Sequence, residues 1–408
     1  MGEYVNPSNR EFWISRKSEI FVDKSMLISY MNRCMDTANR FVCMARPRRF
    51  GKSTDAQMLA AYYSRGCDSA ALFEDLKIAS AGPDPYQNQC HVIFLNMQSF
   101  LSNSGNAEEL ISNVQEELLE ELVAEIRKWV PDYMVKRFRP LNKAVACLAR
   151  ESHIPVIFII DEWDCIFREY KEDAGAQKIY LDFLRDLLKD NASVSLVYMT
   201  GILPVKKYGT HSAINIFDEF SMIDSSPLAP FMGFTEKEVQ KICSRYGKDF
   251  EQMRWWYDGY HLEHDISIYS PRSVVSSVLR DHYGCYWSQT ETYEALRVYI
   301  DMNFDGLRDR IIRLLAGEKV IVETGAFEND MSTFKSADDV LTLLIHLGYL
   351  GYRKEQKTVY VPNREVRDIF VQSVKNSGWK IIIGLSRSFR QAEVLQIWYL
   401  FHMRINRQ

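Results

Sequence analysis

The chain has 408 residues, of which 47% are hydrophobic and 25% charged, with a formal net charge of −4. That length calls for two or three domains with ample chain for a core, and the composition excludes wholesale disorder. So small a net charge gives no global pull toward nucleic acid or anionic membrane, and no apolar run reaches the roughly 18 residues a membrane span needs.

In chain order, Phe41-Val42-Cys43-Met44-Ala45 is apolar throughout, as a buried parallel strand should be. It feeds the basic loop Arg46-Pro47-Arg48-Arg49-Phe50-Gly51-Lys52-Ser53-Thr54, and Ala56, Met58, Leu59 and Ala60 then read as helix. Phosphate binding needs this arrangement, because loop and helix N–H groups point at the anion and the helix dipole adds partial positive charge. Gly51 would let the backbone come close, Lys52 would reach the β- and γ-phosphates, and the Ser53 hydroxyl would ligate Mg²⁺. The usual pattern is G-x-x-x-x-G-K-[ST], and Arg46 stands where its first glycine belongs. A plain turn therefore remains the alternative for this segment alone. Arg46, Arg48 and Arg49 either neutralise a triphosphate or pair with surface carboxylates.

Val92-Ile93-Phe94-Leu95-Asn96 reads as the next strand. Residues 107–129 read as an amphipathic helix, with Leu110, Val114, Leu118, Leu122 and Ile126 on one face and glutamates crowding the rest. A third apolar strand, 156–160, ends in Asp161-Glu162. Acidic residues at the C-terminal edge of a parallel strand sit where such sheets bind ligands. Asp161 would hold Mg²⁺ through water, and Glu162 would orient and polarise the attacking water. Asp164 is a further carboxylate at the same mouth, a rival for Glu162's role or a cap for the next helix. The fourth strand, 194–199, ends in Thr200-Gly201; Thr200 would contact the γ-phosphate, or the pair is an ordinary turn. Strands alternating with helices predict an α/β fold with a parallel sheet covered on both faces.

The texture changes after about Pro230. Thr235 reads as a helix N-cap with Glu238 as its N3 partner, and aromatic-rich segments such as Trp255-Trp256-Tyr257-Asp258-Gly259-Tyr260 follow. Residues 337–375 read as helix, strand, polar turn at 354–357, strand and helix, a sequence of elements like the end of a winged-helix module. Eight cysteines are scattered without a C-x-x-C pair, which predicts reduced, mostly buried thiols. His261 and His264 beside Asp258 and Asp265 invite a metal, although surface placement is the simpler reading. The N-terminal residues show no apolar signal region, so a cytoplasmic location is expected.

Phe21-Val22-Asp23-Lys24-Ser25, the octet from Arg46 to Ser53, and Ile160-Asp161-Glu162-Trp163-Asp164 together resemble the bacterial AAA-ATPase-like family. Trp256-Tyr257-Asp258-Gly259-Tyr260, Tyr269-Ser270-Pro271-Arg272-Ser273-Val274 and Val361-Pro362-Asn363-Arg364-Glu365-Val366 extend the likeness in the same order, over roughly residues 5–380. Arg46 in place of glycine is that family's own form. The resemblance implies a P-loop NTPase core with strand order 5-1-4-3-2, a helical lid and a winged-helix-like C-terminal region. Many members continue into a PD-(D/E)-x-K nuclease domain. This chain departs after Trp379, where no spaced D…E-x-K follows, so nuclease activity is not expected.

The expectation is an ATPase core over 1–230, a lid over 231–300, a winged-helix-like region over 301–378 and an atypical tail over 379–408. The expected ligands are ATP and Mg²⁺. Nucleotide is expected on Arg48, Arg49, Phe50, Gly51, Lys52, Ser53, Thr54 and Thr200, metal on Ser53 and Asp161, and catalysis on Glu162, Lys52 and Asp164. The function expected is an ATP-binding and ATP-hydrolysing switch that acts through its C-terminal half on an unidentified protein or DNA. The alternative is a non-hydrolysing nucleotide-binding regulator that holds DNA with the winged-helix-like segment.

Overall fold

The computed structural model describes residues 2–133, 141–189, 191–205, 214–287, 304–327 and 334–375, so the tail after Trp379 lies outside the described residues. The chain divides into two units, Met1–Phe231 with Glu328–Thr333, and Met232–Phe327 with Phe334–Gln408.

The first unit is built on five strands, β1 (Phe41–Ala45), β2 (His91–Asn96), β3 (Val156–Asp161), β4 (Val194–Gly201) and β5 (Asp218–Phe220). All pair in parallel, in the order β2-β3-β4-β1-β5, which is the expected 5-1-4-3-2 order counted from the other edge. The residues of β1, β3 and β4 are buried throughout, which is why these runs are apolar instead of alternating. Helices Lys52–Tyr63, Ala107–Ile126, Leu141–Ser152 and Ala174–Leu188 accompany the strands. In Ala107–Ile126 the apolar stripe Leu110, Val114, Leu118, Leu122 is buried, and the Asn106 side chain caps its start by accepting the Glu109 N–H.

The outer edge of β2 is covered by the N-terminal segment. Val5 bridges Ile93, with Asn6 N–H donating to the Val92 carbonyl at 2.7 Å and Phe94 N–H to that of Tyr4 at 2.8 Å. Glu121 pins this segment by accepting the N–H groups of Glu3, Tyr4 and Val5. One glutamate of the acidic helix face is thus a structural acceptor that closes a sheet edge.

The second unit holds two small sheets, β6 (Phe234–Thr235), β8 (Ile266–Tyr269) and β7 (Tyr260–Leu262) in one, and β10 (Gly351–Arg353), β11 (Thr358–Tyr360) and β9 (Val320–Ile321) in the other. Its first helix, Glu236–Tyr246, begins with the anticipated Thr235–Glu238 capping box. The helix Ala337–His346, the β10–β11 hairpin and the helix Arg364–Lys375 follow the element order read from the sequence. Segments from both 231–300 and 301–378 contribute to this one unit.

Candidate nucleotide site

Two strands deliver the candidate segments to the same end of the first sheet. Ala45 pairs with Gly201 and Asp161 with Thr200, so β4 alone separates the loop after β1 from the acidic end of β3. Gly51 caps the helix Lys52–Tyr63 at φ +87°, and a Cβ there would meet nothing within 4 Å. The left-handed backbone, not crowding, asks for glycine at this position. The first bond of that helix runs from the Asp55 N–H to the Gly51 carbonyl. The N–H groups of Lys52, Ser53 and Thr54 precede it and have no carbonyl within their helix to accept them, which leaves a terminus suited to an anion.

Lys52 is 5% exposed, and its ammonium donates to the Arg46 and Pro47 carbonyls at 3.3 and 3.2 Å, with Glu162 at 3.9 Å. Burial depresses its pKa, and Glu162, Asp164 and Asp161 work against that shift. Neutral carbonyls compensate a buried ammonium less well than a phosphate oxygen would. Asp161 is fully buried. Its Oδ1 accepts the Glu162 N–H at 3.0 Å, and its Oδ2 has no hydrogen-bond partner among the described residues. Burial pushes this carboxyl up, while the facing Ser53 hydroxyl and the Lys52 charge pull it back. A buried carboxylate with one unpartnered oxygen, beside a serine hydroxyl at a helix N-terminus, is an oxygen donor set that fits Mg²⁺.

Glu162 adopts φ +54° and reaches toward Lys52 with one oxygen, while the other accepts from the Arg168 guanidinium at 2.5 Å. Arg168 also contacts Gln98 at 3.2 Å and Asp164 at 3.5 Å. Asp164 and Thr200 stand differently from expectation. Asp164 is fully buried, and its Oδ2 accepts the N–H groups of Ile202 and Leu203 at 3.0 and 2.9 Å. That oxygen fixes the turn after β4, whereas Oδ1 has no hydrogen-bond partner among the described residues and lies 3.5 Å from Arg168 Nε. The Thr200 hydroxyl donates to the Met44 carbonyl at 3.0 Å, so its proton is not on offer to a phosphate. Of the loop residues, Arg48 is exposed and Arg49 partly so, whereas the Phe50 ring is buried and would serve a ligand only through its backbone.

Residues 11–210 match a family described as "Predicted AAA-ATPase". The likeness covers the unit that carries the candidate site and supports nucleotide binding there. Among solved structures, the chain is similar to the Walker-type ATPase PABY2304 of Pyrococcus abyssi, at 14% identity over 87% of this chain and 97% of that one, with a TM-score of 0.44. It is also similar to the ORC2 protein of Aeropyrum pernix in its ADPNP–ADP complexes, at 11% identity, 94% and 99% coverage and a TM-score of 0.35. A third is Cdc6p from Pyrobaculum aerophilum, at 11% identity, 89% and 98% coverage and a TM-score of 0.25. Comparison with curated proteins gives no match.

Two residues of the candidate site carried no signal in the sequence. Arg168 falls four residues after Asp164, a spacing that is ordinary on any helix. Gly201 read as a turn residue, yet a Cβ there would lie 2.6 Å from the Trp163 ring and 2.7 Å from Asp164 Oδ1. Elsewhere, the His261 ring contacts the Ser267 hydroxyl at 3.0 Å, and that hydroxyl donates to Asp258 at 2.7 Å. Among the described residues no group of three or more His, Cys, Asp or Glu side chains is placed to hold a metal ion.

Proposed function

We propose that the first unit binds ATP with Mg²⁺ and hydrolyses it, acting as a switch for a protein partner engaged through the second unit. The observation that carries this is the buried Lys52 and the Ser53–Asp161 pair at one strand end, with Glu162 beside them. Lys52 would leave the loop carbonyls for the β- and γ-phosphates, and the first-turn N–H groups would bind the same oxygens. Ser53 and Asp161 would hold Mg²⁺, which when bound neutralises charge on those oxygens. Glu162 would orient a water and take up its proton as the water oxygen bonds to the γ-phosphorus and the bond to the β–γ bridging oxygen breaks.

A DNA-binding reading of the second unit finds less support. The two lysines of the 354–357 turn are paired, Lys354 with Glu263 at 2.7 Å and Lys357 with Glu323 at 2.9 Å. Among the described residues no helix is long and apolar enough to cross a membrane. Phosphate release from ATP should be measured with and without Mg²⁺ and with and without duplex DNA. Mg²⁺-dependent turnover that is lost in Lys52→Ala is expected. ATP binding without turnover would favour the regulator that only holds nucleotide, and strong stimulation by DNA would restore the DNA reading.

A further inference from the structure

Arg46 occupies the place of a glycine, yet its guanidinium does not face the phosphate position. It is 1% exposed, and Nη2 lies 2.5 Å from Asp55 Oδ2 and 3.4 Å from the Tyr198 hydroxyl. Nη1 donates to the Phe50 carbonyl at 3.4 Å and to the Phe231 carbonyl. The Arg46 backbone joins the same network, its N–H donating to the Gly201 carbonyl at 3.0 Å and its carbonyl accepting from Lys52 at 3.3 Å. One residue therefore ties both ends of the phosphate loop to the first turn of the following helix, to β4, and to the Ala229–Phe231 turn that closes the first unit's main segment. The intervening loop holds Arg49 at φ +69°, a conformation that persists only where the surroundings enforce it.

We infer that Arg46 is a positioning residue that holds the phosphate loop in its anion-accepting shape through Asp55 and the two carbonyls. This rests on the nucleotide-binding reading above and deepens it. A glycine at this position leaves the loop to be ordered when the ligand arrives, at a conformational cost for each residue fixed. The Arg46 brace orders it beforehand, so that ligand contacts are not offset by loop ordering. Asp55 is itself only 4% exposed, and an ion pair so enclosed is costly to break from either side. Geometry also separates the brace from a simple ion pair. A carboxylate at position 46 would face the Phe50 and Phe231 carbonyls, acceptor against acceptor.

The test is titration of the full chain with ADP and Mg²⁺ by calorimetry, alongside thermal melts followed by circular dichroism. The variants are Arg46→Lys, Asp55→Asn and the double exchange Arg46→Asp/Asp55→Arg. Arg46→Lys keeps the charge but cannot span the carboxylate and both carbonyls, and should bind ADP about tenfold or more weakly while still melting cooperatively. Asp55→Asn, which keeps the shape and a neutral acceptor, should shift affinity in the same direction and less; it decides the matter if Arg46→Lys does not fold. The double exchange should not recover affinity. Folded variants with parental ADP affinity would overturn the inference, leaving Arg46 a brace of the fold alone, and recovery by the double exchange would overturn it in favour of a bare ion pair. A parental chain that takes up no ADP would overturn the nucleotide reading itself.

Discussion

Glu162 lies between two cations, Lys52 at 3.9 Å on one oxygen and Arg168 at 2.5 Å on the other, and this frames what single residues can do here. In the mechanism we propose, replacing Glu162 with Gln keeps the shape but removes the charge that would polarise the water. The expected outcome is retained ATP and Mg²⁺ binding with single-turnover hydrolysis slowed by a factor of ~10²–10⁴. Asp164 should behave otherwise, because its Oδ2 accepts two buried N–H groups that would be orphaned without it. Asp164→Ala should lose about 2–4 kcal/mol of stability in urea titrations, since each orphaned N–H costs about 1–3 kcal/mol. A stable Asp164→Ala that binds ATP without hydrolysing it would return Asp164 to the role of base. Adjacency in sequence offered both carboxylates, and only their hydrogen-bond partners separate them.

Whole elements were legible wherever periodicity or a cap is local. The four apolar strands and the Thr235 capping box fall where the sequence puts them, because burial on both faces and cap chemistry leave their mark within a few residues. The N-terminal segment on the β2 edge left no such mark, since Glu121 lies more than a hundred residues from the N–H groups it accepts. The aromatic motif at 256–260 is explained only by its partners. Gly259 has φ +117°, and a Cβ there would lie 1.8 Å from the Pro362 carbonyl oxygen, while the Tyr260 hydroxyl donates to the Gly348 carbonyl at 2.6 Å. Gly259→Ala should therefore cost the second unit about 3 kcal/mol or more, through overpacking and backbone strain together. Thermal melting would check this, and an unchanged midpoint would contradict the packing described.

At the scale of the whole molecule, each unit has among its described residues a fully enclosed histidine whose charge the fold opposes, His91 in the first and His346 in the second. Burial lowers His91 to about 4, with Arg65 adding to the effect, and burial alone lowers His346 to about 4, both from 6.5. Asn6 assigns the His91 tautomer: its carbonyl oxygen accepts the Val92 N–H, so its amide nitrogen meets an unprotonated His91 Nδ1 at 3.2 Å. In both cases the unfolded chain takes up the proton first. Stability is thus unaffected by these groups above pH 6.5 and falls as pH drops toward 4, by about 3 kcal/mol for each histidine over that window. Urea unfolding at pH 7 and pH 5 should show the loss, and His346→Phe should reduce the pH dependence of the second unit's transition. A pH profile unchanged by that substitution would exclude His346 as a source.

The sequence by itself determined the parallel-strand core, the phosphate-loop segment and the acidic strand end, because each depends on residues that are neighbours in the chain. Resemblance added the strand order. Tertiary structure alone decided that Arg46 turns inward to Asp55, that Asp164 braces a turn, that Thr200 gives its proton to Met44, and that Arg168 meets Glu162. These assignments rest on which donor meets which acceptor inside the fold. Burial makes an unmet polar group costly, so the packed surroundings, and not the spacing of residues along the chain, choose the partner.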